Sequence, residues 1–133
     1  MINKEFVPYQ ESLELKELGF DEPCLSIYDK DKKLQRSLLE YPIINSKNGF
    51  HEFWNIITAP LYQQAFRWFR EKKLSDSYVY RYQDRTDGSI NFGYSIIHDY
   101  GIEETRFVKE NYTSYEEAEL ACLRKLIEIV KQK

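Results

Sequence analysis

Two runs of strand-forming residues, Ser77 to Asp84 and Ser89 to His98, are separated only by Arg85-Thr86-Asp87-Gly88. Tyrosine, valine and isoleucine on both sides of an Asp-Gly pair compel an antiparallel hairpin. A hairpin half covered by other elements must place its apolar side chains on one face, and loop length decides which face that is. A two-residue turn at Asp87-Gly88 would set Tyr78, Tyr80 and Tyr82 against Gly93, Ser95 and Ile97. A three-residue loop, Thr86-Asp87-Gly88, sets Tyr82 against Phe92, Tyr80 against Tyr94 and Tyr78 against Ile96. Only the second register leaves one apolar face and one polar face, and it puts Gly88 at the left-handed position of a type I turn with a G1 bulge. The expectation is therefore a buried tyrosine face.

The elements around this hairpin complete a body of helix, three strands and helix. Before it, Leu61 to Lys73 carries Leu61, Ala65, Trp68 and Phe69 at the spacing of a buried helical stripe, widened by Tyr62 and Phe66. Thr58 is placed to cap this helix, and Pro60 sits just inside its start. After the hairpin, a turn at Asp99-Tyr100-Gly101 leads to a third strand, Glu104 to Asn111. Thr113-Ser114-Tyr115-Glu116 then reads as a capping box for a last helix. Ala118, Cys122, Leu126 and Ile129 form one apolar stripe of that helix, and Leu123, Ile127 and Val130 its neighbour. The expected fold class is α+β, with an antiparallel three-stranded meander packed against two helices in the order α-β-β-β-α.

An N-terminal extension of a helix and a short β-hairpin precedes this body. Tyr9 to Leu18 reads as the helix, closed by Gly19 in the left-handed conformation, with Phe20 packing back onto Leu15. Cys24 to Tyr28 and Leu34 to Leu39 read as two strands joined by the polar turn Asp29 to Lys33. From Glu40 to Thr58 the chain carries loop residues, yet Phe53 and Trp54 are too apolar for solvent. A loop of that length in a compact domain is often functional. At 133 residues the chain is expected to form one domain, residues 1–58 as the extension and 59–133 as the body.

Composition removes several classes of function. With 42% hydrophobic and 31% charged residues the chain is globular. It has no apolar run of the ~20 residues that span a membrane. The opening MINKEFVPYQESLELKE has the acids and broken hydropathy of no signal peptide, so a cytoplasmic protein is expected. A net charge of -3 argues against general affinity for phosphate backbones. Cys24 and Cys122 lie far apart, and His51 and His98 stand alone, without the paired spacing of a metal site. Neither a metal, a cofactor nor a disulfide is expected.

Two likenesses to known proteins bear on function. The segments Ala59-Pro60-Leu61-Tyr62-Gln63-Gln64-Ala65-Phe66-Arg67-Trp68-Phe69-Arg70-Glu71-Lys72, Tyr115-Glu116-Glu117-Ala118-Glu119-Leu120-Ala121-Cys122-Leu123 and Leu18-Gly19-Phe20-Asp21-Glu22-Pro23-Cys24 resemble motifs of small uncharacterised proteins of gut Bacteroidetes and their phages and mobile elements. The resemblance implies a cytoplasmic accessory protein and no particular activity. The order of elements from Pro60 onward is also similar to that of the double-stranded-RNA-binding domain. That family grips phosphates with lysines at the start of its last helix, where this chain has Glu116, Glu117 and Glu119. Topology can carry over without the RNA-binding residues, so no binding to double-stranded RNA is expected.

The remaining candidate chemistry is sparse. His98, Asp99, Glu103 and Glu104 share one turn, but no residues from other elements are marked to converge there, as a catalytic site requires. No Walker A, GxSxG, HExxH or GxGxxG motif occurs. The expectation is a protein that is not an enzyme and that binds a protein partner or itself; the alternative is a nucleic-acid or nucleotide binder. Candidate partner-binding residues are Arg67, Arg70 and Lys73 on the flank of the helix after Pro60, and Phe53 and Trp54 in the apolar loop.

Overall fold

The computed structural model describes residues 2–36 and 57–132. They form an α+β protein with three α-helices and two three-stranded antiparallel sheets. The chain divides into two compact units, residues 1–65 and 66–133.

In the first unit a 3-10 turn, Ile2–Glu5, precedes α1, Tyr9–Glu17. The end of α1 is the Schellman motif read from the sequence. Gly19 has φ +97°, the Phe20 N–H donates to the Leu15 carbonyl at 2.9 Å, and the Gly19 N–H donates to that of Lys16 at 3.1 Å. Leu15 and Phe20 are both buried beside this cap. Strands β1, Ser26–Tyr28, and β2, Leu34–Arg36, form the expected hairpin with Tyr28 opposite Leu34. Asp29 closes its turn, its Oδ1 accepting from the Asp31 and Lys33 N–H groups. A third strand, β3, Ile57–Thr58, adds to the free edge of β1, giving the order β2-β1-β3.

That strand overturns one expectation. Thr58 belongs to β3 and is buried, so it does not cap the helix α2, Tyr62–Lys72. The Gln64 side chain reaches back instead, its Oε1 accepting from the Leu61 N–H at 3.3 Å, which is the reciprocal half of a capping box. The helix therefore begins one residue later than expected. Leu61 stays 42% exposed, and the buried stripe is Tyr62, Ala65, Trp68 and Phe69.

The second unit contains the meander: β4, Ser75–Gln83; β5, Ile90–Asp99; and β6, Glu104–Tyr112; in the order β4-β5-β6. Its register corrects the central expectation. Tyr82 pairs with Asn91, Tyr80 with Gly93 and Tyr78 with Ser95, one residue away from the expected pairing. The cause lies in the loop. The Asp84 N–H donates to the Ser89 carbonyl at 2.8 Å, so four residues rather than three make the connection. Two aspartates hold this longer loop: Asp84 Oδ1 accepts from the N–H and hydroxyl of Thr86, and Asp87 Oδ1 from those of Ser89. Gly88 keeps the expected left-handed conformation, φ +74°.

One residue of slip turns the side chains of β4 over relative to β5, whose Tyr94 and Ile96 stay on the covered face as expected. The face against the last helix, α3, Tyr115–Lys131, carries Ser75, Ser77, Val79, Tyr94, Ile96 and His98, whereas Tyr78, Tyr80 and Tyr82 point away from it. Tyr78 is 56% exposed. The outward tyrosines are anchored through their polar ends. Tyr80 Oη donates to Glu110 Oε2 at 2.6 Å, and its ring lies over Gly93, where a Cβ would come within 3.0 Å of Cζ. Tyr82 Oη donates to Asn111 Oδ1 and accepts from its N–H, both at 2.9 Å. Asn111 has φ +75°, and the β5–β6 register shifts between Phe92 and Tyr94, so a bulge lies at this end of β6.

Helix α3 lies on all three strands and buries Ala118, Cys122, Leu126 and Ile129, with Leu123 and Ile127, as its two stripes predict. Its cap is one residue later than expected: Ser114 Oγ accepts from the Glu117 N–H at 3.2 Å, and the Thr113 hydroxyl donates to the Glu117 carboxylate. Ser114→Ala is accordingly expected to cost about 1 kcal/mol in a urea melt, and Thr113→Ala distinctly less. In the first turns of α3, burial and then the neighbouring Glu116 carboxylate push Glu119 up to about 7. A carboxyl group that binds its proton more tightly in the folded chain adds stability at low pH. That contribution disappears as pH rises through about 7. Melts from pH 5 to 8 should show stability falling for this reason, and Glu119→Gln should flatten the slope; an unchanged slope would show that Glu119 titrates normally.

Candidate functional groove beside the last strand

Strand β6 ends the meander, and among the described residues no strand pairs with its outer edge. Residues Ala121, Arg124, Lys125 and Glu128 recur at i, i+3, i+4 and i+7 on α3, so they share a flank that borders this edge. Between the two runs an open groove of about 740 Å³, within the size range of small-ligand sites. Tyr94 and Ala121 line it in depth. Phe107, Lys109 and Tyr112 come from the helix-facing side of β6, and Arg106 and Val108 from the other side, because the edge strand presents both sides of its pleat.

The electrostatics of this groove are one-sided. Arg106, Lys109, Arg124 and Lys125 line it against one carboxylate, Glu128, on a chain whose net charge is -3. Lys125 Nζ lies 3.4 Å from Glu128 Oε2 and also 5.1 Å from the centre of the Phe107 ring. Lys109 Nζ stands 6.0 Å over the Tyr112 ring, and Tyr112 stacks on Tyr94 at 6.1 Å and 26°. Cations on ring faces are held by the ring quadrupole, so the protein's own lysines cover the aromatic faces. Burial first, then the neighbouring Tyr112, push the Tyr94 hydroxyl up to about 12. It remains a neutral hydrogen-bonding group across the physiological range.

The residues singled out from sequence lie elsewhere. Arg67 and Arg70 are exposed on α2, and Lys73 is half-buried with its Nζ 5.2 Å from the centre of the Trp68 ring. Phe53 and Trp54 lie outside the described residues. At the turn after β5, His98 and Asp99 bond to neighbouring residues of the fold. His98 is fully buried and shares a hydrogen bond through Nδ1 with the Ser75 hydroxyl, its ring edge-on to Tyr100. Asp99 Oδ1 accepts from the Gly101 N–H, and the Glu103 main-chain carbonyl accepts from the Tyr100 N–H.

Burial pushes the Cys24 thiol up to about 11 and the Cys122 thiol to about 12. Both are free and buried, the condition of unreactive core cysteines. Among the described residues no group of three histidine, cysteine, aspartate or glutamate side chains is placed to hold a metal ion, and no helix is long and apolar enough to cross a membrane. The groove cations were missed because they are scattered in sequence over two elements. The i, i+3, i+4, i+7 flank of α3, unused by the apolar stripes, is the signal that marks half of them.

No family model, curated protein or solved structure matches the chain.

Proposed function

We propose that this chain is a non-enzymatic interaction protein that binds a partner protein through the groove between β6 and α3. The supporting observation is the array of Arg106, Lys109, Arg124 and Lys125 along one open groove of an otherwise acidic chain. Clustered charge of one sign raises the local concentration and capture rate of an oppositely charged partner. The same cations give some support to a nucleotide or nucleic-acid ligand. The covered faces of Phe107 and Tyr112 weigh against it, since base recognition uses open rings. Duplex RNA is opposed further by Glu116, Glu117 and Glu119 in the first turns of α3. The free, buried thiols favour a reducing, cytoplasmic setting, and the likeness of three segments to small phage and mobile-element proteins favours an accessory role in such an element.

Quantitative affinity capture from the native host tests the reading, with the wild type and the double variant Lys109→Glu/Arg124→Glu as parallel baits. At least one protein should fall about tenfold in recovery with the variant, a loss of about 1.4 kcal/mol in binding. Identical protein profiles, or enrichment of nucleic acid alone, would contradict it.

A further inference from the structure

We infer that the groove takes an acidic, extended segment of the partner as an added strand on the open edge of β6. The inference rests on the groove being the binding surface and specifies what enters it. Three features of the site lead to it. First, β6 is nine residues long, ends its sheet among the described residues and is exposed at Arg106, Val108, Lys109 and Glu110, so it presents an edge of a length a peptide strand can follow. Edge strands of this kind recruit extended peptides through main-chain hydrogen bonds, with alternate side chains supplying specificity.

Second, cations stand on both sides of that edge. A segment running beside β6 turns alternate side chains toward α3 and away from it. Those turned toward α3 meet Lys109, Arg124 and Lys125; those turned away meet Arg106. Carboxylates on the α3-facing side of the incoming strand therefore find partners, whereas on the other side Arg106 shares β6 with Glu104 and Glu110, so the acids of the segment belong on the side turned toward α3.

Third, the other occupants fit less well. Pairing β6 with β6 of a second copy places the same patch on both sides of a two-fold axis. Arg124 and Lys125 of one α3 would then confront their equivalents, a like-charge juxtaposition that costs affinity. A single-stranded nucleic acid would find its phosphates near the cations but no open ring to stack on, because Lys109 and Lys125 lie over Tyr112 and Phe107.

A random dodecapeptide library displayed on phage tests this, panned on the wild-type protein and counter-selected on Lys109→Glu/Arg124→Glu. Both substituted side chains are exposed, and circular dichroism of this variant and of Lys109→Gln/Arg124→Gln checks that each is folded. Recovered peptides are expected to be rich in Asp and Glu and to bind either variant about tenfold more weakly. Methylating the main-chain nitrogens of alternate residues in the strongest peptide should abolish binding in one phase and spare it in the other, because only every second N–H of an added strand faces β6.

Acid-poor peptides that still lose binding on the variants would keep the groove as the site and overturn the acidic strand. Equal tolerance of both methylation phases would overturn strand addition alone. Peptides indifferent to the variants, or no enrichment over an unrelated bait, would overturn the inference and the groove with it. Salt-sensitive binding of oligothymidylate to the wild type and not to the variants would assign the groove to nucleic acid and overturn the inference.

Discussion

Tyr94→Ala is expected to destabilise the protein by about 3–4 kcal/mol, and Tyr78→Ala by less than about 1 kcal/mol. Both are tyrosines of adjacent strands, and a purely compositional view would treat them alike. Tyr94 is 5% exposed, under α3 and stacked on Tyr112; Tyr78 is 56% exposed on the opposite face. Truncating the first opens a cavity that the helix and strands cannot fully close, whereas truncating the second removes a ring largely in water. Urea melts of the two variants decide the register, because the three-residue loop would bury both side chains on one face. Similar large losses from both would restore that register, and a small loss at Tyr94 would remove α3 from this face.

His98→Ala is expected to cost about 2–4 kcal/mol, from the emptied ring volume and from the loss of a buried hydrogen bond. His98 and Ser75 are both fully buried and bonded to each other across the β4–β5 pair. Ser75→Ala should cost less, because it leaves little cavity. The double variant should lose measurably less than the two single losses combined, since each single change strands the other partner. Strict additivity would show that the pair does not act as a unit. The same burial encloses the histidine of this turn beside Ser75 and Tyr100.

The end of α1 and the stripes of α3 were readable because their causes are local. Gly19 and Phe20 determine the end of α1 through two main-chain hydrogen bonds within a few residues. The stripes of α3 follow from the period of the helix alone. The hairpin register was not readable, although its loop residues are. Loop length there depends on which side chains fold back onto the main chain, and Asp84 and Asp87 each accept two bonds that lengthen the loop by one residue. The pattern misleads as well, because tyrosine is only partly apolar. Tyr80 and Tyr82 use their hydroxyls on Glu110 and Asn111 and leave the rings half in water. Small residues, Ser75 and Ser77, occupy the covered face of β4 instead, where the sheet lies beneath α3.

The groove was hidden for a different reason. Arg106 and Lys109 on β6 and Arg124 and Lys125 on α3 come together only when the last helix folds back along the last strand. The charged flank of α2, with the exposed Arg67 and Arg70, is contiguous in sequence and so stands out more.

The most direct measurement is a nitrogen–proton correlation spectrum of the isotope-labelled protein, titrated with the strongest peptide from the library selection. The account predicts that the largest shifts map to Phe107, Lys109, Tyr112, Arg124 and Lys125, with β6 amides gaining protection from exchange. Shifts centred on Tyr78, Tyr80 and Tyr82, or on Arg67 and Arg70 of α2, with β6 unmoved, would contradict it.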